Sequence, residues 1–167
     1  MLLRPIQLAD PQDITFLAQM LTEAVNWRPD RRRLALDEVL ADPHLARYVR
    51  GWGRRGDGGV IAEEGGGRVG ACWYRLFSAD EPGYGFIDER TPELGIAVVA
   101  DQRRRGIGRA LLRAALSEAA LEGFAALSLS VEPDNPSRLL YGQLGFESVG
   151  VVAGSLTMRA ELPKHPT

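Results

Sequence analysis

The segment Arg103-Arg104-Arg105-Gly106-Ile107-Gly108-Arg109-Ala110 follows the run Glu93-Leu94-Gly95-Ile96-Ala97-Val98 after a short spacer. A strand that feeds a glycine-containing turn and then a helix leaves backbone N–H groups free. It also aims the positive end of the helix dipole at whatever lies in front. Gly106 and Gly108 let an anion approach that backbone, and Arg103, Arg104, Arg105 and Arg109 add mobile positive charge. The chemistry this implies is recognition of a phosphate or pyrophosphate, although a bare GxG also fits a solvated basic turn whose glycines serve geometry alone. Two rival phosphate motifs are not met. A P-loop needs Lys and Ser or Thr directly after its last glycine, where this chain has Arg109 and Ala110. A dinucleotide fingerprint needs a third glycine or alanine at fixed spacing in an early βαβ unit.

Few other residues compete for chemistry. Cys72 is the only cysteine, which excludes an internal disulfide and a cysteine-rich zinc site. Nothing near it in sequence lowers its pKa, so it reads as a buried, inert thiol rather than an acyl-enzyme nucleophile. His44 and His165 are the only histidines, neither has metal-ligand spacing, and no metal is expected. A length of 167 residues, 45% hydrophobic and 25% charged, fits one domain over 1–167 with a sizeable core. The formal net charge of −2 supplies no global field for a nucleic-acid backbone. No run approaches the roughly 20 apolar residues of a membrane span, and the start lacks a signal-peptide pattern. A cytoplasmic protein with no nucleic-acid or membrane partner is the expectation.

The elements that must position the turn can be read in order. Asp10-Pro11 marks a helix start, with Ile14, Leu17, Leu21 and Ala24 at helical spacing behind it. A second helix is predicted to open near Asp30, pass Leu34, Val39 and Leu40, break at Asp42-Pro43 and resume toward Tyr48. Residues 51–59 form a glycine-rich loop, and residues 60–63 and 69–77 a hairpin across Glu64-Gly65-Gly66-Gly67. After a polar loop over 78–91 come a strand (93–99), a helix opening at Ile107 with Gly123 just past its end, a strand (125–131), a short helix (136–144) and one or two closing strands (149–162). The order predicts an α/β protein with a mixed sheet covered by helices.

With these elements in place, the chain resembles the GNAT family of N-acetyltransferases. Their acetyl-CoA motif is Gln or Arg, two residues, Gly, one residue, then Gly or Ala, matched by Arg103-x-x-Gly106-x-Gly108. Asn135-Pro136-Ser137-Arg138-Leu139-Leu140-Tyr141 followed by Leu144-Gly145-Phe146 is similar to the family's second motif. The resemblance implies a mostly antiparallel sheet of six or seven strands whose fourth and fifth strands splay. The pantetheine arm of acetyl-CoA would lie in that gap. Ile96, Ala97 and Val98 would then offer backbone groups to the pantetheine and thioester, the backbone from Arg104 to Arg109, Ile107 included, would cradle the pyrophosphate, and Asn135 would contact the cofactor. The spacing from Asn135 to Tyr141 is six, where other members have seven.

Acyl transfer from a thioester to an alkylamine of pKa near ~10.4 requires a proton acceptor at neutral pH. Glu93 is the candidate, since similar proteins place a glutamate at the start of this strand and use it through water. It reads equally as an exposed strand-end carboxylate. Members that instead carry a glutamate on the fifth strand have it where this chain has Ser130. The departing thiolate, with a thiol pKa near ~8.5, needs only a weak acid, and Tyr141 occupies the family's proton-donor position. The acceptor implied is a primary amine on a small molecule, a peptide or a protein N-terminus, attacking directly. A non-catalytic acyl-CoA sensor is the alternative, and a homodimer is compatible with either. Trp27, Trp52, Trp73, Tyr84 and Phe86 are candidates for an aromatic acceptor wall or for plain packing, and Asp80, Glu81, Asp88 and Glu89 for attracting a cationic amine.

Overall fold

The computed structural model describes residues 1–164, so His165 lies outside the described residues. Seven strands form one sheet in the order β1-β2-β3-β4-β5-β7-β6. They are β1 (Leu2–Pro5), β2 (Gly58–Glu64), β3 (Gly67–Arg75), β4 (Glu93–Val98), β5 (Ala126–Val131), β6 (Glu147–Val152) and β7 (Ser155–Glu161). Every neighbouring pair is antiparallel except β4 and β5, which are parallel and share a single residue pair, Glu93 with Ser128. Beyond that pair the two strands part, as the resemblance implies.

Alternation along the strands sends successive side chains to opposite faces, and each face has its own core. On one side α4 (Ile107–Leu121) and α5 (Ser137–Gln143) pack over Cys72, Leu94, Leu127, Leu129 and Met158, with Ile96 and Val98 against them. On the other, α1 (Pro11–Val25) and the turn of α3 (Pro43–Ala46) pack over Ile61, Ala71 and Trp73, with Ala97 and Val99 against them. Asp10 caps α1 as expected, its carboxylate accepting from Gln12 N–H at 2.9 Å, with Pro11 in the first turn. The closing region holds two strands, β6 and β7, and Cys72 is fully buried.

The second helix departs from the expectation. It begins at Leu36, as α2 (Leu36–Ala41), and residues 30–35 are not helical. Asn26 is the reason: its side chain accepts from Leu34 N–H at 2.8 Å and donates to the Leu34 carbonyl at 2.9 Å. Those bonds pinch residues 26–34 into a loop, because Asn competes well for backbone groups. The loop reaches across to the turn after β5. Trp27 Nε1–H and Arg31 meet Glu132 at 2.5 and 2.8 Å, and Arg28 pairs with Asp134.

Candidate active site

The turn between β4 and α4 has the backbone the sequence predicts. Arg104 and Gly106 both adopt positive φ, +60° and +82°, a conformation that costs a non-glycine residue about 1–3 kcal/mol and is held where the surroundings demand it. Positive φ on either side of Arg105 turns the chain sharply from β4 toward α4, the kind of turn in which backbone N–H groups form an anion nest. The first backbone bond of α4 runs from Ala110 N–H to the Gly106 carbonyl at 3.1 Å, and no side chain caps the helix. The N–H groups of Ile107, Gly108 and Arg109 therefore have no partner among the described residues. A Cβ at Gly106 would meet nothing within 4 Å, and one at Gly108 only the side chains of Leu140 and Val98 at 3.9 Å. Open space in front of unpaired amides fits a bound pyrophosphate.

The arginines divide into two groups. Arg103 donates to the Val98 carbonyl at 3.0 Å and pairs with Glu23 at 3.0 Å, and Arg105 pairs with Glu64 at 2.8 Å. Their charge is locally compensated. Arg109 reaches Gln143, and Arg104 forms no ion pair among the described residues. Free positive charge at the turn thus comes from Arg104 and Arg109.

Between the turn and the Glu93–Ser128 pair lies a wedge. Its closed end is fixed by Ser128 N–H donating to the Pro92 carbonyl at 2.9 Å. From the Glu93–Ser128 pair β4 runs five residue steps to Val98, roughly 16 Å at about 3.3 Å per residue, and β5 three steps to Val131, roughly 10 Å. Ile96, Ala97 and Val98 line one side and are half-buried, consistent with backbone available to an extended ligand. Asn135 sits beyond β5, where its carboxamide oxygen accepts from Ser137 N–H at 2.9 Å and so starts α5.

Glu93 is not an exposed strand-end carboxylate. It is 2% exposed, and burial raises its carboxyl to about 7, offset in part by the bonds it accepts from the Tyr48 hydroxyl and the Gly85 N–H. The Gly85 bond is 3.0 Å. Tyr48 in turn accepts from Tyr84 N–H at 2.9 Å, and its phenol is pushed well above its usual value by burial and by the neighbouring Glu93 charge. By alternation Glu93 stands on the α1 face with Ala97, whereas Tyr141 on α5 is buried in the α4-side core, edge-on to Phe146. Burial also raises the Tyr141 phenol, against the pull of a hydrogen bond with Ser137. The two groups therefore lie on opposite faces of the sheet.

The five aromatic candidates do not make one wall. Trp73 is core, donating to the Tyr48 carbonyl at 3.2 Å and lying where a side chain at Gly95 would stand. Trp52 stacks with the Arg75 guanidinium, and Phe86 packs into the α1-side core. Trp27 and the more exposed Tyr84 stay near the wedge region, on the loop tied to Glu132 and on the segment before β4. In the acidic loop Glu89 accepts from Ala79 N–H and Asp88 from Arg90 N–H, so part of that charge serves the loop itself. Sequence reading did not find Tyr48, Gly85 and Ser128 as site residues. Tyr48 lies 45 positions from Glu93, and only the paired glycines Gly83 and Gly85 ahead of β4 hinted at a close approach.

Comparison with known proteins agrees with this geometry. Residues 20–146 match the acetyltransferase (GNAT) family. The chain is 33% identical over 138 residues to mycothiol acetyltransferase of Amycolatopsis mediterranei, an alignment that covers 81% of this chain and 43% of that protein. The chain thus spans less than half the length of this relative. Among solved structures, ribosomal-protein-alanine N-acetyltransferase from Brucella melitensis superposes with a TM-score of 0.69 at 25% identity, covering 97% of this chain and all of that one. A phosphinothricin acetyltransferase from Sinorhizobium meliloti, in complex with acetyl-CoA, superposes with a TM-score of 0.67 at 20% identity, covering 99% and 92%. The nest, the splayed parallel pair and the match over residues 20–146 together place this chain in the acetyltransferase (GNAT) family.

Proposed function

We propose that the protein is an N-acetyltransferase that moves the acetyl group of acetyl-CoA to a primary amine of a small molecule, a peptide or a protein N-terminus. The observation that carries this reading is the nest of unpaired amides at residues 107–109, set at the mouth of a wedge between two parting strands. The solved relative with acetyl-CoA bound has the same fold, which supports this choice of ligand. Gly106, Ile107, Gly108 and Arg109 would hold the pyrophosphate, with Arg104 adding charge, while Ile96, Ala97 and Val98 offer backbone to the pantetheine. Asn135 would contribute by starting α5.

The amine attacks the thioester carbonyl directly. The new C–N bond forms as the C–S bond breaks, and the thiolate leaves with the electron pair. Glu93 takes up the proton the amine loses, through water and the Tyr48 hydroxyl that already donates to it. A carboxyl near 7 suits this task at neutral pH, since a base works best with a pKa close to the operating pH. The Tyr141 hydroxyl protonates the thiolate. A pure acyl-CoA sensor would need neither a base of matched pKa nor a buried donor. The test is a panel of primary amines, from aminoalcohols to peptides with free N-termini, incubated with acetyl-CoA and read by released thiol and product mass. Turnover of at least one amine is expected, and thiol release no faster with any amine than without would retire the enzyme in favour of the sensor.

A further inference from the structure

The closed end of the wedge is sealed by a segment that belongs to neither strand. Residues 83–86 cross the α1 face at the point where β4 and β5 meet, and Gly85 joins all three. Its N–H donates to Glu93 on β4 at 3.0 Å, and its carbonyl accepts from the Ser128 hydroxyl on β5 at 2.8 Å. The approach is so close that a Cβ at Gly85 would lie 2.6 Å from the Leu129 carbonyl carbon and 2.8 Å from Ser130 N. Only glycine permits this contact. One residue earlier, Tyr84 N–H is held at 2.9 Å by the Tyr48 hydroxyl, which itself donates to Glu93. The seal is buried and its polar groups are matched: Glu93 is 2% exposed and Ser128 is fully buried.

We propose that this staple of Gly85 between Glu93 and Ser128 is an acyl stop, restricting the thioester substrate to short chains, acetyl rather than butyryl or longer. The inference rests on the acetyl-CoA reading above, because a ligand with its pyrophosphate at residues 106–109 points its acyl end toward the closed end of the wedge. There the parallel pair has no further gap, and the staple closes the α1 side. A longer chain would have to displace three satisfied buried hydrogen bonds or fold back toward the mouth, and overpacking of this kind is costly.

The experiment measures binding of CoA, acetyl-CoA, butyryl-CoA and octanoyl-CoA to the wild-type protein, Ser128→Ala and Gly85→Ala by calorimetry, with circular dichroism as the fold check. For the wild type, acetyl-CoA should bind at least as well as CoA, and butyryl- and octanoyl-CoA about 10-fold or more weakly, the scale on which a pocket rejects extra methylenes. In Gly85→Ala the added methyl lifts the segment from β5, and in Ser128→Ala one tether is gone. Both should shrink the long-chain penalty by about 3-fold or more while leaving CoA affinity alone, because neither residue is near the pyrophosphate. If CoA and acetyl-CoA bind but octanoyl-CoA binds the wild type equally well, the stop is refuted and the cofactor reading survives. A long-chain penalty unchanged in folded Ser128→Ala refutes it equally, and Ser128→Ala decides the matter alone should Gly85→Ala fail to fold. Absence of any CoA binding overturns the cofactor reading and the stop together.

Discussion

Glu93 carries the largest gap between what its type suggests and what its surroundings make of it. A glutamate at a strand start is ordinarily ionised at neutral pH, but burial lifts this one to about 7. Two consequences follow from that shift, with opposite signs. As a base it must be ionised, so turnover should rise with pH through about 7. As a buried acid whose folded pKa exceeds its unfolded value of 4.5, it binds more protons in the folded state between pH 4.5 and 7. Stability should therefore fall across that window, by on the order of 3 kcal/mol, and level off above it. Glu93→Gln should lower turnover about 10²–10⁴-fold and remove the inflection near 7 from both the rate profile and the urea-unfolding profile. A variant that keeps full activity would leave water alone as the acceptor. Tyr141→Phe makes a cleaner cut, because in the proposed mechanism the lost hydroxyl would act only when charge develops on sulfur. It should reduce kcat with acetyl-CoA affinity and fold preserved. Loss of binding together with activity would make Tyr141 a packing residue, as its edge-on contact with Phe146 allows.

At the scale of elements, the start of α4 shows how much of a site can be legible in a sequence. Arg103-x-x-Gly106-x-Gly108 located the turn, and the positive φ of Gly106 and the unpaired amides after it follow from that spacing. The pairing of β2 with β3 was equally legible through the glycine turn of their hairpin, since local contacts set it. The register of α2 was not, because Asn26 fixes it from outside the helix by binding Leu34. The ion pairs of Arg103 and Arg105 were not legible for a related reason. Their partners Glu23 and Glu64 come from α1 and β2, which no local pattern relates to residues 103–105. Gly108→Val exploits what is local. Its Cβ has room and its place is in the first helical turn, so thermal unfolding of the free protein should stay within a few degrees of the wild type, the shift that follows from under about 1 kcal/mol. A large drop in Tm would show that Gly108 is required by the fold.

Over the whole molecule, the sheet is nearly continuous in its hydrogen bonding except where β4 and β5 part. A protein that leaves such a break forgoes ladder bonds, and the break becomes intelligible when the wedge is where a ligand's own polar groups pair with the strands. Glu93, at the closed end of the wedge, and Tyr141, in the α4-side core, lie on opposite faces of the sheet. Among the described residues no helix is long and apolar enough to cross a membrane, and no His/Cys/Asp/Glu group is arranged to hold a metal ion. We assign the pyrophosphate of acetyl-CoA to the unpaired amides at residues 107–109. Titration of acetyl-CoA into the wild-type protein and into Gly108→Val, followed by calorimetry, tests that assignment at its root. Saturable binding to the wild type, weakened about 10-fold or more in a fully folded Gly108→Val, is the expected result, because the added side chain stands between the ligand and the helix amides. Equal affinity in the two proteins would contradict the account, since the phosphates would then lie elsewhere.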